Sequence, residues 1–251
     1  MLSDLSDLDI LTGILTIIYI IIDFIVGILF FSKIKKTTTQ KRIMFMMGFF
    51  VITLSSPWWP VAIQFILYSF FDIIMDARSY LFLTYWLVPL GMILWLWVVY
   101  EMVYYKNKKY IAFFIWSVIS CVGFYVFIMI NLFVNTPLIG SKEGYMNVTF
   151  GPIALYLSMY GLTINLISGG VFFYKSRKSN PGNKEVSLKA VFMLLGFVFF
   201  TFSAIFQSIS LTEAPWMQVL LKVTAVLSAL CFYFLFFLPK ILKTKLKTEE
   251  D

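Results

Sequence analysis

The chain contains no histidine among its 251 residues, and this absence excludes several kinds of site. Zinc and haem sites with histidine ligands, Ser-His and Cys-His nucleophile pairs and histidine-based pH switches all require an imidazole. The sequence also lacks phosphate-cradling glycine loops, paired catalytic carboxylates and clusters of metal ligands. We therefore expect a protein that is not an enzyme and that has no metal or cofactor site.

Cysteine and charge are both scarce. The two cysteines, Cys121 and Cys231, lie in apolar stretches, which favours small side chains at helix interfaces over a disulfide or a metal site. Only 13% of the residues are charged and 61% are hydrophobic, whereas a soluble domain has about 25% charged residues and about half apolar ones. The composition predicts a chain surrounded by a lipid bilayer.

The net charge of +7 does not indicate a nucleic-acid partner. The basic residues are spread between apolar stretches, as in the loops of membrane proteins, and do not form one patch. Most of them fall in the predicted loops 33–42, 103–109 and 175–189 and in the tail 239–251. Because cytoplasmic loops are rich in lysine and arginine, this distribution predicts an outer N-terminus, a cytoplasmic tail and a multi-pass protein of the cell membrane.

Seven apolar stretches are long enough to cross a membrane as helices, which takes about 20 residues. They predict an all-α fold, a single domain over residues 1–251 with seven spans: 10–32, 43–63, 80–102, 110–132, 152–174, 189–211 and 217–238. The acidic segment 1–9 has no basic residue, so the first stretch reads as an uncleaved span and not as a signal peptide.

Prolines predict two irregular spans. The sequence Pro57-Trp-Trp-Pro60 should break or kink the second span, because proline removes a backbone donor and clashes with the preceding turn. We expect 43–56 to form the inner part of that span and 64–77 an amphipathic segment on the outer surface that acts as a lid. Pro89 should kink the third span.

Two parts of the chain resemble each other. Segment 23–36 matches 165–178 at glycines, phenylalanines and basic residues, with Asp23 corresponding to Asn165. In the spans that follow, Thr53 and Ser55 correspond to Thr201 and Ser203. The pattern predicts an internal repeat of three helices (10–102), one linker helix (110–132) and three helices (152–238).

In its number of spans and its repeat, the chain resembles transporter, opsin and receptor-type seven-helix membrane proteins, including SWEET and PQ-loop transporters and microbial rhodopsins. The resemblance implies a substrate site near the membrane midplane, between the repeats. No diagnostic motif supports a closer match: the chain has no Pro-Gln pair, and the ends of its third and seventh spans lack the usual motifs of G-protein-coupled receptors.

Asp23 is the leading candidate for a functional residue. It lies ten residues before Lys33, hence about 15 Å from the cytoplasmic boundary, in the middle of the membrane. A carboxylate at that depth should face the bundle interior, and its counterpart Asn165 should face it across a central cavity. In the alternative interpretation, Asp23 stays protonated and only joins two helices by a hydrogen bond. The hydroxyls of the repeat add weaker candidates for the cavity lining: Thr53, Ser55, Thr201 and Ser203.

Lys222 lies 18 residues before Lys240, about 27 Å from the cytoplasmic boundary. The sequence therefore predicts that Lys222 snorkels to the outer surface and that no pigment is attached to it. Trp58 should lie at the outer boundary too, as part of an aromatic belt.

Three functions remain open on the sequence alone. The first is a small-solute transporter that takes a polar or cationic solute, with proton coupling through Asp23. The second is a sensory or receptor-like protein that binds a small ligand without transport. The third is a structural membrane protein with no small-molecule site.

Overall fold

The computed structural model describes residues 5–34, 38–103, 108–143, 147–179, 182–208 and 215–237. Within these ranges the chain is all-α apart from one hairpin, and seven helices are long and apolar enough to cross a membrane. The prediction of an all-α, seven-span membrane protein is confirmed. The spans are Asp7–Ser32, Lys41–Phe71, Ala77–Met102, Tyr110–Val134, Pro152–Ser179, Lys184–Gln207 and Pro215–Phe236.

Several spans are divided into shorter elements. A 3₁₀ turn, Ser56–Trp58, separates the two helices of the second span. In chain order the elements are α1 (Asp7–Ser32), α2 (Thr38–Leu54), α3 (Trp59–Phe71), α4 (Ala77–Tyr85), α5 (Val88–Val103), α6 (Lys108–Val134), α7 (Thr136–Ile139), β1 (Gly140–Glu143), β2 (Asn147–Phe150), α8 (Pro152–Ser179), α9 (Lys184–Ser208) and α10 (Pro215–Phe236).

The two prolines of the second span each lie at the start of a helical element. Pro57 and Pro60 occupy the first positions of the 3₁₀ turn and of α3, where a missing N–H costs no hydrogen bond. The chain therefore continues as a helix to Phe71. The prediction of a separate surface segment over 64–77 is wrong, because each proline starts a new helical turn and does not end the span.

The third span is broken as predicted. Its first part, α4, begins with Asp76 as N-cap, whose Oδ2 accepts a hydrogen bond from the Ser79 backbone N–H at 3.1 Å. The second part, α5, begins at Val88, with Pro89 in its first turn.

Six of the spans form a closed ring. Around this ring α1 packs against α2, α2 against α5, α5 against α8, α8 against α9, α9 against α10, and α10 against α1. The remaining long helix, α6, packs mainly on the outside of the ring, against α5 and α4. Glycines bring α1 and α2 close together: a Cβ on Gly27 would lie 2.9 Å from the backbone oxygen of Gly48.

The chain between α7 and α8 forms an antiparallel hairpin that the sequence analysis did not predict. Its strands pair from Gly140 opposite Phe150 to Glu143 opposite Asn147. The hairpin lies at the same end of the bundle as the N-terminus of α1, and we refer to this end as the hairpin end. At the opposite end, Arg42 forms an ion pair with Glu101, which also accepts a hydrogen bond from Trp97.

Candidate functional site: a cavity at the hairpin end

A cavity of about 440 Å³ lies inside the ring of helices and reaches the surface at the hairpin end. This volume is typical of sites that bind small molecules. Its mouth lies between the first turn of α1, at Asp9, and strand β2, where Thr149 is exposed. Its deepest lining residues include Phe50 of α2, Asn165 of α8 and Phe200 of α9.

The wall of the cavity is mostly apolar, and much of it is aromatic. Trp58, Tyr80, Tyr85, Phe150 and Phe200 all contribute to it. Trp58 packs edge-on against Phe200, with ring centroids 5.9 Å apart, and Tyr85 packs in the same way against Phe150 at 6.0 Å. Such a wall favours a ligand with a flat or bulky apolar body.

The floor of the cavity is formed by Phe50, which packs in a cluster of four buried aromatic rings together with Trp95, Phe197 and Phe232. Ring centroids lie 5.4 Å apart for Phe50 and Trp95, 4.6 Å for Trp95 and Phe197, and 4.9 Å for Phe197 and Phe232. Below this floor the bundle is filled by further apolar side chains. Among the described residues, the cavity therefore ends inside the bundle and does not pass through it.

Three of the hydroxyls on the wall bond to their own helix. Thr53 donates to the Phe50 carbonyl at 2.8 Å, Thr84 to the Tyr80 carbonyl at 3.0 Å and Ser158 to the Ala154 carbonyl at 2.8 Å. The hydrogen of each of these hydroxyls is therefore already donated to a backbone carbonyl and is not free to bind a ligand.

Asn165 differs from these hydroxyls. Its side chain is buried, it lines the cavity, and its Oδ1 has no hydrogen-bond partner among the described residues. A buried amide oxygen without a donor is costly. Because this oxygen is itself buried, the Asn165 amide has to turn to present it to the cavity, where a ligand that donates a hydrogen bond would satisfy it.

Strand β2 forms part of the cavity wall, and Lys142 of β1 ties the hairpin to the neighbouring helices. Lys142 Nζ donates to Gln64 Oε1 at 2.8 Å and to the Met75 carbonyl at 2.7 Å. Desolvation lowers the pKa of Lys142 from its usual value, and the charge of Asp76 opposes this. The lysine is thus partly removed from water when the hairpin is in place.

The six residues singled out by the repeat lie in different surroundings. Asn165 and Thr53 line the cavity. Ser55 is buried and donates to the Ile52 carbonyl at 2.8 Å, and Ser203 crosses to the Leu221 carbonyl at 2.8 Å. Thr201 Oγ1 has no hydrogen-bond partner among the described residues. Ser55, Ser203, Thr201 and Asp23 are not among the residues that line the cavity.

Asp23 is buried, only 1% exposed, and lies behind the cavity wall. Its carboxyl group has the Tyr19 hydroxyl as a hydrogen-bond neighbour, while its Oδ1 has no partner in the described part of the chain. The Tyr19 ring in turn packs edge-on against Trp58, with centroids 5.2 Å apart. The structure thus places Asn165, but not Asp23, on the cavity, and the two side chains do not face each other across it.

Lys222 is a buried residue that the sequence analysis misplaced. It is only 2% exposed, so the prediction that it snorkels to the surface is wrong. Its Nζ lies 3.4 Å from Gln207 Oε1 and 5.5 Å from the centroid of Trp58. Trp58 also donates its Nε1–H to Gln207 Oε1. Counting residues along the helix predicts how deep Lys222 lies in the membrane, but it does not predict the direction of the side chain. In the structure that side chain points toward Trp58.

No protein-family model matches the chain, and no curated protein or solved structure matches it either. Function therefore has to be inferred from the cavity and the groups around it.

Proposed function

We propose that this integral membrane protein is a receptor-like ligand-binding protein that holds a small, largely apolar molecule in the cavity at the hairpin end. The observation that carries the proposal is the combination of an aromatic wall with an acceptor, Asn165 Oδ1, that has no hydrogen-bond partner in the described ranges. A ligand that donates one hydrogen bond to Asn165 and packs against the rings satisfies both features.

The packed floor favours binding over passage. Phe50, Trp95, Phe197 and Phe232 are 0% exposed, and each ring packs against at least two of the others. A solute would have to part these rings to continue toward the opposite end, whereas a receptor-like protein needs only the pocket. Lys142 supports the same interpretation, because it holds the hairpin against the helices at the mouth.

Blocking the cavity tests the proposal. The neutral probe 2-naphthylacetamide should raise the midpoint of thermal unfolding of the purified protein, followed by a thiol-reactive dye that labels the buried Cys121 and Cys231 as the chain unfolds. Gly161→Leu should abolish this shift, because the added side chain enters the cavity beside Met92.

The matched control is Gly170→Leu in the same helix, since a Cβ there meets nothing within 4 Å. This variant should keep the full response to the probe. Equal responses of the two variants, or no response of the unmodified protein, would contradict a small-molecule site in this cavity.

A small-solute permease is the second candidate, and one observation favours it. The helices α1 and α8 bury corresponding positions of the proposed repeat: Asp23 with Asn165, Gly27 with Gly169, and Phe30 with Phe172. Parallel repeats of this kind are typical of transporters that alternate between two open ends. On this proposal the solute is polar or cationic, and Asp23 takes part in coupling to protons.

Uptake of radiolabelled tetraethylammonium into proteoliposomes under an imposed proton gradient tests the permease. Protein-dependent uptake that is reduced by Asp23→Asn would favour this function over the receptor-like one. Binding of probes without any flux would count against it.

A further inference from the structure

We infer that the ligand of the cavity carries a carboxylate, which Lys222 and Trp58 bind together at the place where Gln207 now stands. The inference rests on the proposed function, because it assigns a charge to the ligand of that same cavity. It also gives the ligand a negative charge, whereas the acidic side chain of Asp23 alone would suggest a positively charged ligand.

Lys222 has no counter-ion in the part of the chain that the structure describes. Its side chain is buried inside the bundle, and no carboxylate of the described residues lies within 4.0 Å of its Nζ. Gln207 Oε1, at 3.4 Å, is its hydrogen-bond partner, and the ring of Trp58 is its other electrostatic contact. A charged ammonium in such surroundings costs several kcal/mol unless an anion compensates it.

Two donors converge on a single oxygen atom at this point. Both Lys222 Nζ and Trp58 Nε1 direct their hydrogens at Gln207 Oε1. A carboxylate has two oxygens and could accept one charge-assisted hydrogen bond from Lys222 and another bond from Trp58. It therefore fits the pair of donors better than the single amide oxygen does.

A ligand can reach this point by displacing one side chain. Trp58 and Gln207 line the cavity, as does Gln218, which lies one helical turn before Lys222 in α10. Rotation of the Gln207 side chain would open Lys222 Nζ to the cavity. The apolar body of the ligand would then lie against Trp58 and Phe200.

Two acids described near the cavity, Asp9 and Asp23, do not supply the missing charge. Asp9 lines the mouth, at the surface, and its carboxylate already accepts hydrogen bonds from Ser6. Asp23 lies on the far side of Trp58, next to Tyr19. Among the described residues that line the cavity, none is basic, and Lys222 is a cation in contact with two of them, Trp58 and Gln207.

Three probes with the same ring system test the inference: 2-naphthylacetate, 2-naphthylacetamide and 2-(2-naphthyl)ethylamine. They carry a negative, a neutral and a positive group. Affinities are measured at neutral pH, from the concentration dependence of the unfolding midpoint, with the protein in nanodiscs of zwitterionic lipid. The acetate should bind about tenfold more tightly than the amide, since one charge-assisted bond replaces a neutral one.

Two variants act on this preference in different ways. Lys222→Met keeps an unbranched side chain that is one atom shorter and removes its charge, so the acetate should no longer bind more tightly than the amide. Gln207→Glu supplies an internal carboxylate at the same position, which should exclude the acetate and leave a folded protein even if Lys222→Met does not fold. Lys178→Met, at an exposed position, is the control for a change in net charge.

Equal affinity of the unmodified protein for the acetate and the amide would overturn the inference and leave the receptor-like function intact. A preference for the amine would overturn it in favour of a cationic ligand. A preference for the acetate that survives both Lys222→Met and Gln207→Glu would also overturn it. If no probe binds and Gly161→Leu changes nothing, the proposed function fails together with the inference.

Discussion

The two halves of the bundle bury different kinds of side chain. The half at the hairpin end contains the cavity, the half-buried Gln207 and a set of buried polar groups: Gln64, Asn165, Gln218 and Lys222. The half toward the opposite end is filled by interlocking apolar side chains such as Phe30, Phe172 and Phe232. The difference suggests a division of roles, in which one half recognises a ligand and the other provides stability.

The largest effect on stability should come from the floor. Phe197→Ala removes a ring that contacts Phe50, Trp95 and Phe232 and should destabilise the fold by about 3–5 kcal/mol. Phe200→Ala, one turn further along α9, borders space that is already empty and should cost clearly less. Thermal unfolding of both variants tests this, and equal losses would remove the distinction between the two halves.

The next largest effect concerns the hairpin. Lys142→Met removes two hydrogen bonds to Gln64 and Met75 and should loosen the hairpin by about 1–3 kcal/mol. Amide hydrogen exchange of strand β2 should become faster, while exchange in α9 stays unchanged. Unchanged exchange in β2 would show that other contacts hold the hairpin in place.

Asn165→Leu should affect binding more than folding. It removes the unpartnered acceptor from the cavity wall, so affinity for 2-naphthylacetamide should fall about fivefold, the loss of one hydrogen bond. The midpoint of unfolding without ligand should hardly move. Affinity equal to that of the unmodified protein would show that Asn165 does not contact the probe.

Asp23→Asn should have the smallest effect on binding. The amide has the shape of the acid and can still bond to Tyr19, and Asp23 does not line the cavity. We expect affinity for each naphthyl probe to stay within about twofold and stability to change by less than about 1 kcal/mol. A large loss of affinity would show that Asp23 influences the cavity from behind Trp58. It would weaken the division of the bundle into a half that recognises a ligand and a half that provides stability.

Much of the architecture could be predicted from the sequence, because long apolar stretches have few alternatives in a membrane. The breaks at Pro57 and Pro89 were also predictable, but the continuation of α3 to Phe71 was not. The rule that proline ends a helix does not distinguish a proline in the interior of a helix from one in the first turn of a new helix. The hairpin was missed because Gly140–Glu143 and Asn147–Phe150 are short and weakly patterned.

The candidate site was harder to predict. Depth along a helix follows from residue counts, but the direction of a side chain depends on which neighbours the helix meets. Asn165 and Asp23 have corresponding depths, yet α8 presents Asn165 to the cavity while α1 presents Asp23 to Tyr19. For the same reason the sequence predicted that Lys222 reaches the outer surface, whereas its side chain is buried inside the bundle.

The repeat stays a prediction. Its first helices, α1 and α8, bury corresponding positions, but the second helices do so less closely. Phe49 is 38% exposed, whereas its counterpart Phe197 is fully buried and packs against Phe50. Gly48 and Gly196 are buried in both helices. If the chain was duplicated, the second helix of one copy has since turned about its axis.

The aromatic floor also has an electrical consequence. Where water enters the cavity, the aqueous phase extends from the hairpin end down to Phe50, so most of a transmembrane voltage falls across the four rings and the apolar layer beneath them. One elementary charge moved through the whole field gains or loses about 2.3 kcal/mol per 100 mV. A charged ligand that enters from the hairpin end crosses little of that field, and its occupancy should therefore be nearly independent of the membrane potential.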